Sequence, residues 1–181
     1  SLQYDIAICI LNNIPSSAKM LTPNQIPNRK QTENFDAIED ILFIGYPTGI
    51  YDTYNNSPIA RKGITATPIS LNYEGKYQFL IDASIFPGSS GSPVFLIFQN
   101  INQTKDLRAT CKESIQVFLL GIITEGYSYG NSIKNNSYPP SVPIIIPKQM
   151  IDLGVVIKSS ELIKLINDSR NPDSVRKVSY Q

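Results

Sequence analysis

The sequence predicts an all-β fold, a barrel or a sandwich, with a helix at its C-terminal end. Short runs rich in β-branched and aromatic residues recur between residues 41 and 147, separated by turn-forming residues, which is the pattern of a barrel or a sandwich. A polar, proline-containing stretch precedes these runs and is typical of a connecting segment. After the last run, a capped apolar pattern with helical spacing predicts the helix.

The elements are predicted in the following order. Residues 5–11 form an apolar run and predict a strand, and residues 12–40, with Pro15, Pro23 and Pro27, predict a linker. The polar stretch at residues 100–115 predicts a surface loop between two strands. The strands expected after the linker are residues 41–47, 62–71, 77–83, 94–99, 116–124 and 142–147.

Two helical stretches are expected to close the chain, at residues 147–153 and 159–168. The second begins with two serines, Ser159 and Ser160, whose hydroxyls favour the first turn of a helix. The β-domain with its helix therefore extends over residues 41–168. Residues 169–181 are expected to form a polar, frayed tail.

Composition restricts the function classes only broadly. A length of 181 residues suits one domain, and the net charge of +1 gives no reason to expect nucleic acid as a partner. No apolar run approaches the ~20 residues of a membrane span. The absence of histidine and of a close cysteine pair argues against a metal site, and no cofactor is expected. Cys9 is expected to be a buried free thiol, although pairing with Cys111 is open.

The segment from Asp82 to Val94 carries the chemistry. Ser90 stands among glycines, small residues and a proline, with an apolar run on either side. A nucleophilic serine needs a sharp, exposed turn and backbone N–H groups that point at the developing oxyanion. Gly88 permits such a turn without a Cβ clash, and Gly91 leaves room beyond the nucleophile. The alternative is an ordinary Gly/Ser linker or hairpin turn.

The run Pro87-Gly88-Ser89-Ser90-Gly91-Ser92-Pro93 resembles the nucleophile signature of the trypsin-like (chymotrypsin-fold) serine peptidases. The longer run from Asp82 is most similar to the bacterial HtrA/Deg and glutamyl-endopeptidase-like branch. The resemblance implies that Ser90 is the nucleophile and that Gly88, Ser89 and Ser90 surround the oxyanion hole. It also implies that residues 41–168 are the second barrel of that fold, a closed or partly open antiparallel β-barrel with a C-terminal helix. Only the end of the first barrel is then expected, at residues 1–11.

The run Asp5-Ile6-Ala7-Ile8 resembles the strand that carries the catalytic aspartate in the same family. The resemblance implies that Asp5 orients the histidine of the triad. Taken alone, an aspartate at the start of a strand is more often a solvated turn residue or cap. The histidine precedes this aspartate in the family, so we expect the chain to be a fragment whose histidine lies upstream. The alternative is a natural pseudoenzyme, a relative of these peptidases that has no catalytic activity.

Substrate recognition is expected at the run Gly121-Ile122-Ile123-Thr124-Glu125-Gly126, which resembles the family's pocket strand. Thr124, Glu125 and Gly126 would pair with the backbone of an extended peptide. Ser84, six residues before Ser90, would lie near the base of the pocket. Because Ser84 is not an aspartate, a preference for Arg or Lys is not indicated, and a small or apolar residue is expected before the cleaved bond.

Three functions are therefore compatible with the sequence. The first is a trypsin-like serine endopeptidase that acts on protein or peptide substrates, with this chain inert by itself for want of a histidine. The second is a catalytically dead relative that binds extended peptides, and the third is an unrelated structural β-domain. Loss of the first barrel would expose apolar surface, so self-association is a further expectation. Compartment cannot be inferred from the sequence.

Overall fold

The computed structural model describes residues 6–9, 11, 13–101, 113–129 and 149–170. Short helical turns lie at Pro23–Gln25, Pro47–Gly49 and Tyr73–Gly75, together with a four-residue helix α1 (Arg29–Thr32). The C-terminal helix α2 covers Ser159–Ser169. Six strands are present in these residues, β1 (Asp40–Gly45), β2 (Ile59–Thr65), β3 (Gln78–Asp82), β4 (Pro93–Ile101), β5 (Glu113–Tyr129) and β6 (Gln149–Lys158).

The six strands close into one antiparallel barrel. Their order around the barrel is β1, β2, β3, β6, β5 and β4, with β4 pairing back to β1. Strands β1 to β3 follow one another as a meander, and β4 returns beside β1, which is a Greek-key arrangement. The predicted closed antiparallel barrel and C-terminal helix are confirmed.

The core of the barrel follows from alternation along the strands, since successive side chains point to opposite faces. In β1, Ile41 and Phe43 are buried while the residues between and beside them are more exposed. Strand β3 is buried at four consecutive positions. The side chains that pack in the interior include Ile41, Phe43, Phe79, Ile81, Val94, Leu96, Phe118, Leu120, Ile123 and Val156.

Two expectations at the N-terminal end are wrong. Ile6–Cys9 and Leu11 have no strand structure, although residues 5–11 were expected to form one. Ile8 and Leu11 are exposed, so the apolar run is not covered in the way a buried strand would be. Cys9 has a free thiol, but the residue is exposed rather than buried. Residues 13–39 are mainly irregular, as expected of a connecting segment.

The helix expected at residues 147–153 is also wrong. Residues 149–153 begin strand β6, which pairs with β3 on one side and β5 on the other. The sheet bonds available from both neighbours override the local helix pattern. The strand expected at residues 142–147 lies outside the described residues. Strand β2 starts three residues earlier than predicted and ends at Thr65, ahead of Pro68, which has no N–H to give to a sheet.

Candidate active site

Ser90 lies in the loop that joins β3 to β4 (residues 83–92), which we call the nucleophile loop after the role predicted for Ser90. The residue is exposed, and its two flanking glycines have left-handed backbone conformations, with φ of 87° at Gly88 and 85° at Gly91. Residues with a Cβ rarely adopt this conformation, because the Cβ then approaches the following carbonyl oxygen. The two glycines therefore allow the sharp turn that presents the Ser90 hydroxyl to solvent.

The nucleophile loop is attached to the turn that follows β1. The Thr48 N–H donates to the Pro87 carbonyl oxygen at 2.6 Å. A Cβ at position 88 would lie 2.6 Å from the Tyr46 carbonyl oxygen and 3.2 Å from the Thr48 nitrogen. Gly88 is thus required both by its backbone conformation and by the close approach of another backbone segment.

Hydrogen bonds inside the loop decide which N–H groups stay available. The Ser89 N–H donates to the Phe86 carbonyl oxygen at 3.0 Å, and the Ser92 N–H donates to the Ser89 carbonyl oxygen at 3.1 Å. Within the described part of the chain, the Gly88 and Ser90 N–H groups have no acceptor. Of the three residues predicted to surround an oxyanion, Gly88 and Ser90 can therefore donate, whereas the Ser89 N–H is already used.

Strand β5 extends past the end of β4, beside Ser90. The pairing of β4 with β5 ends at Pro93 opposite Ile122. One residue further, Ile123 accepts from the Gly91 N–H at 2.7 Å and donates to the Ser92 carbonyl oxygen at 2.9 Å. Residues 124–129, which we call the open edge of β5, pair only with β6 among the described residues. No strand of the described ranges is bonded to the other side of this segment.

A cavity of about 450 Å³ is lined both by the nucleophile loop and by β5. Ser90 and Thr124 both line it, so the structure brings together the predicted nucleophile and one predicted pocket residue. Glu125 is exposed, and Gly126 lies opposite Gly154 of β6. The other walls of the cavity are formed by Ile6, Ala7, Ile8, Gly91, Ile122, Ile123, Leu162 and Ile166. Asp5 lies outside the described residues, but its neighbour in sequence, Ile6, lines the cavity.

Ser84 lies at the other end of the nucleophile loop and is not among the described residues that line this cavity. Its carbonyl oxygen accepts a hydrogen bond from Nη2 of Arg61 on β2. Arg61 was not singled out from the sequence. Lys62 follows Arg61 directly, so no local pattern in the sequence distinguishes the two cations. In the structure, the residue opposite Arg61 on β1 is the core residue Phe43.

Two ionisable side chains near the barrel wall have shifted pKa values. A hydrogen bond with the Tyr73 hydroxyl, together with burial, raises the pKa of Tyr127 above its ordinary range. Burial lowers the pKa of Lys158, which donates to the Leu71 carbonyl oxygen and to Asn72 Oδ1. Tyr127 belongs to the open edge of β5, which is the edge expected to bind a peptide. Its hydroxyl is held there by the hydrogen bond with Tyr73.

Comparisons with protein-family models, with curated proteins and with solved structures found no match to this chain. Among the described residues, no group of three or more acidic, Cys or His side chains is arranged to hold a metal ion. A search of the same residues for helices long and apolar enough to cross a bilayer found none.

Proposed function

We propose that this chain carries the nucleophile and the substrate-binding edge of a trypsin-like serine endopeptidase. The observation that carries the proposal is the position of an exposed serine between two left-handed glycines, directly beside an open strand edge. The Gly88 and Ser90 N–H groups, which have no acceptor in the described residues, support a role in oxyanion binding. An accidental Gly/Ser turn would have no reason to combine these features.

In the proposed reaction, the Ser90 hydroxyl attacks the carbonyl carbon of the scissile peptide bond. A histidine takes the hydroxyl proton and later gives it to the leaving amine, while Gly88 and Ser90 N–H groups bind the oxyanion. Water then hydrolyses the acyl-enzyme. Since the sequence contains no histidine, the proposal requires a base that is supplied from outside these 181 residues. Asp5 is proposed to orient that histidine.

The substrate is proposed to be an extended polypeptide that adds a strand to the open edge of β5. In this mode, backbone hydrogen bonds supply affinity and neighbouring side-chain pockets supply selectivity. Thr124, Glu125 and Gly126 would form the first contacts, and the cavity beside Ser90 would accept an apolar side chain because its walls are mainly apolar.

A second function is favoured by one observation, the absence of histidine from the sequence. Without a base, Ser90 has no means of forming an alkoxide near neutral pH. The same edge could still bind an extended peptide. A catalytically inactive peptide-binding domain is therefore the alternative to an endopeptidase.

The deciding experiment is to treat the full-length native protein with a fluorophosphonate probe and to locate the label by mass spectrometry. We expect labelling at Ser90 in the full-length protein, and loss of that label in Ser90→Ala. Ser70→Ala is the matched control, because Ser70 is exposed and lies outside the nucleophile loop. The isolated 181-residue chain should react slowly or not at all, because it has no histidine.

Loss of a triad residue lowers kcat by on the order of 10⁶-fold, so the difference between Ser90→Ala and Ser70→Ala should be easy to measure. If a folded full-length protein takes no label at Ser90 but binds an extended peptide, the inactive alternative replaces the endopeptidase. If it neither reacts nor binds peptide, both functions are excluded.

A further inference from the structure

We propose that Arg61 is a positioning residue that fixes the nucleophile loop in the conformation required for oxyanion binding. The proposal rests on the proposed function, in which Ser90 is the nucleophile. Arg61 lies on β2, in a different part of the chain from the loop, and it contacts both the barrel core and the start of the loop.

Three contacts define the position of the Arg61 guanidinium. Nη2 donates to the Ser84 carbonyl oxygen. The guanidinium carbon lies 5.0 Å from the centre of the Phe43 ring and 5.2 Å from the centre of the Phe86 ring. Both distances are within the ~6 Å range of cation–π contacts. Arg61 therefore connects a core side chain to two residues of the nucleophile loop.

The two loop contacts lead directly to the nucleophile. Phe86 is 42% exposed, and the Arg61 guanidinium is one of the groups that its ring contacts. The Phe86 carbonyl oxygen accepts from the Ser89 N–H, the bond that closes the turn before Ser90. If Ser84 and Phe86 moved, that turn would move with them, and the Gly88 and Ser90 N–H groups would change direction.

The choice of arginine follows from the geometry of the contacts. A planar guanidinium can stack on aromatic rings and donate from its edge at the same time, whereas an ammonium is a compact point charge on a flexible chain. The second terminal nitrogen, Nη1, is buried and has no acceptor among the described residues. A buried donor left unpaired destabilises the fold, so the two ring contacts and the one hydrogen bond of Arg61 are retained at a cost to stability.

The test compares Arg61→Met and Arg61→Lys with the native full-length protein. Arg29→Met is the control for loss of an arginine, because the Arg29 side chain is 93% exposed. The rate of fluorophosphonate labelling at Ser90 is measured, together with kcat and KM on a peptide substrate. Hydrogen exchange of the segment covering residues 84–92 is followed in all variants, and it does not depend on activity.

For Arg61→Met we expect labelling and kcat to fall by about 10- to 100-fold with KM changed by less than about 3-fold, because misplacement by ~1 Å has effects of this size. Exchange of residues 84–92 should rise at least about 10-fold while exchange of β3 stays the same. Arg61→Lys keeps a cation and a donor and should restore part of the rate, although it cannot reproduce the ring stacking.

Unchanged exchange of residues 84–92 in Arg61→Met would overturn the positioning role, whatever the activity. Equal losses in the segment and in β3 would also overturn it, since they would mean general destabilisation. If the native protein itself takes no label at Ser90, the proposed function fails, and hydrogen exchange alone then decides whether Arg61 holds the loop.

Discussion

The nucleophile loop and strand β3, which leads into it, are stabilised in different ways. Strand β3 is bonded to β2 and β6, and Phe79 and Ile81 are fully buried. The loop that follows buries Ala83 and Ile85 in the core, but residues 86–88 and 90–91 are exposed, and this outer part is held by a few hydrogen bonds and two left-handed glycines. The barrel thus supplies stability through buried apolar surface, while the loop depends on particular residues at particular positions. The predictions below test this difference.

The largest expected effect is the loss of a core ring. Phe79→Ala should lower the free energy of unfolding by about 3–5 kcal/mol, because it removes a fully buried phenylalanine and leaves a cavity. Phe86→Ala is the matched change in the loop and should cost less than about 1.5 kcal/mol, since that ring is 42% exposed. Urea unfolding measures both values. Equal costs would mean that the loop is part of the core.

A smaller effect is expected at Gly75 and Gly88, two glycines that share a left-handed backbone conformation but differ in their surroundings. Gly75→Ala, at φ 71° and with nothing near the added Cβ, should cost only the strain of about 1–2 kcal/mol. Gly88→Ala adds a clash with the Tyr46 carbonyl oxygen, so we expect roughly 2–3 kcal/mol and loss of Ser90 labelling. Thermal unfolding and labelling of both variants provide the comparison. Normal labelling of Gly88→Ala would contradict the required loop conformation.

The next effect concerns a buried hydroxyl in the loop. Ser89 is 2% exposed, and its Oγ has no hydrogen-bond partner among the described residues. Removing an unpaired buried polar atom should stabilise the protein, so Ser89→Ala is expected to gain up to about 1 kcal/mol in urea unfolding. Ser70→Ala, an exposed control, should stay within ±0.5 kcal/mol or so. A loss of stability in Ser89→Ala would indicate that the hydroxyl is bonded after all.

The smallest effect is a dependence on alkaline pH. The pKa of Tyr127 is raised by its bond with Tyr73, so the folded protein keeps a proton that the unfolded chain loses above about pH 10. Its contribution to stability is therefore present below that pH and lost as the pH rises further. The lowered pKa of Lys158 acts in the opposite direction, because there the unfolded chain holds the proton longer.

Between about pH 9 and about pH 11, the free energy of unfolding of Tyr127→Phe should therefore fall less than that of the native protein. The two losses should differ by roughly 0.5 kcal/mol or less, because Tyr127 is partly exposed. Urea unfolding across this range checks the slope. Identical slopes in Tyr127→Phe and the native protein would show that the Tyr73–Tyr127 bond does not persist in solution.

Much of the barrel could be predicted from the sequence, because five of its strands are apolar runs bounded by turn residues. The N-terminal run and strand β6 could not. Residues 5–11 have the composition of a strand, but composition does not supply a neighbour to pair with, and Ile6–Cys9 are irregular. Residues 147–153 contain good helix formers such as Gln149 and Met150, but pairing with β3 and β5 makes residues 149–153 part of a strand instead.

In the candidate site, too, local features could be predicted from the sequence, whereas contacts between distant segments could not. Local glycine and serine spacing predicted the turn around Ser90, and the structure adds its left-handed glycines. Contacts between distant segments could not be predicted from a local pattern. The approach of Tyr46 to Gly88 and the contact of Arg61 with Phe86 depend on how β1 and β2 pack beside the loop. The assignment of Asp5 to the triad remains a prediction.

Under the proposed function, the open edge of β5 would also limit which conformations of a substrate polypeptide can be recognised. At about 3.4 Å per residue, residues 124–129 span at most roughly 20 Å, and the pairing of this segment with β6 is irregular at two places. Only a segment with its own main-chain donors and acceptors unoccupied can bond along that length. Helices and the interior strands of folded proteins have none to spare. Cleavage would therefore be directed at denatured chains, frayed termini and long surface loops, and a well-folded protein in the same compartment would be spared.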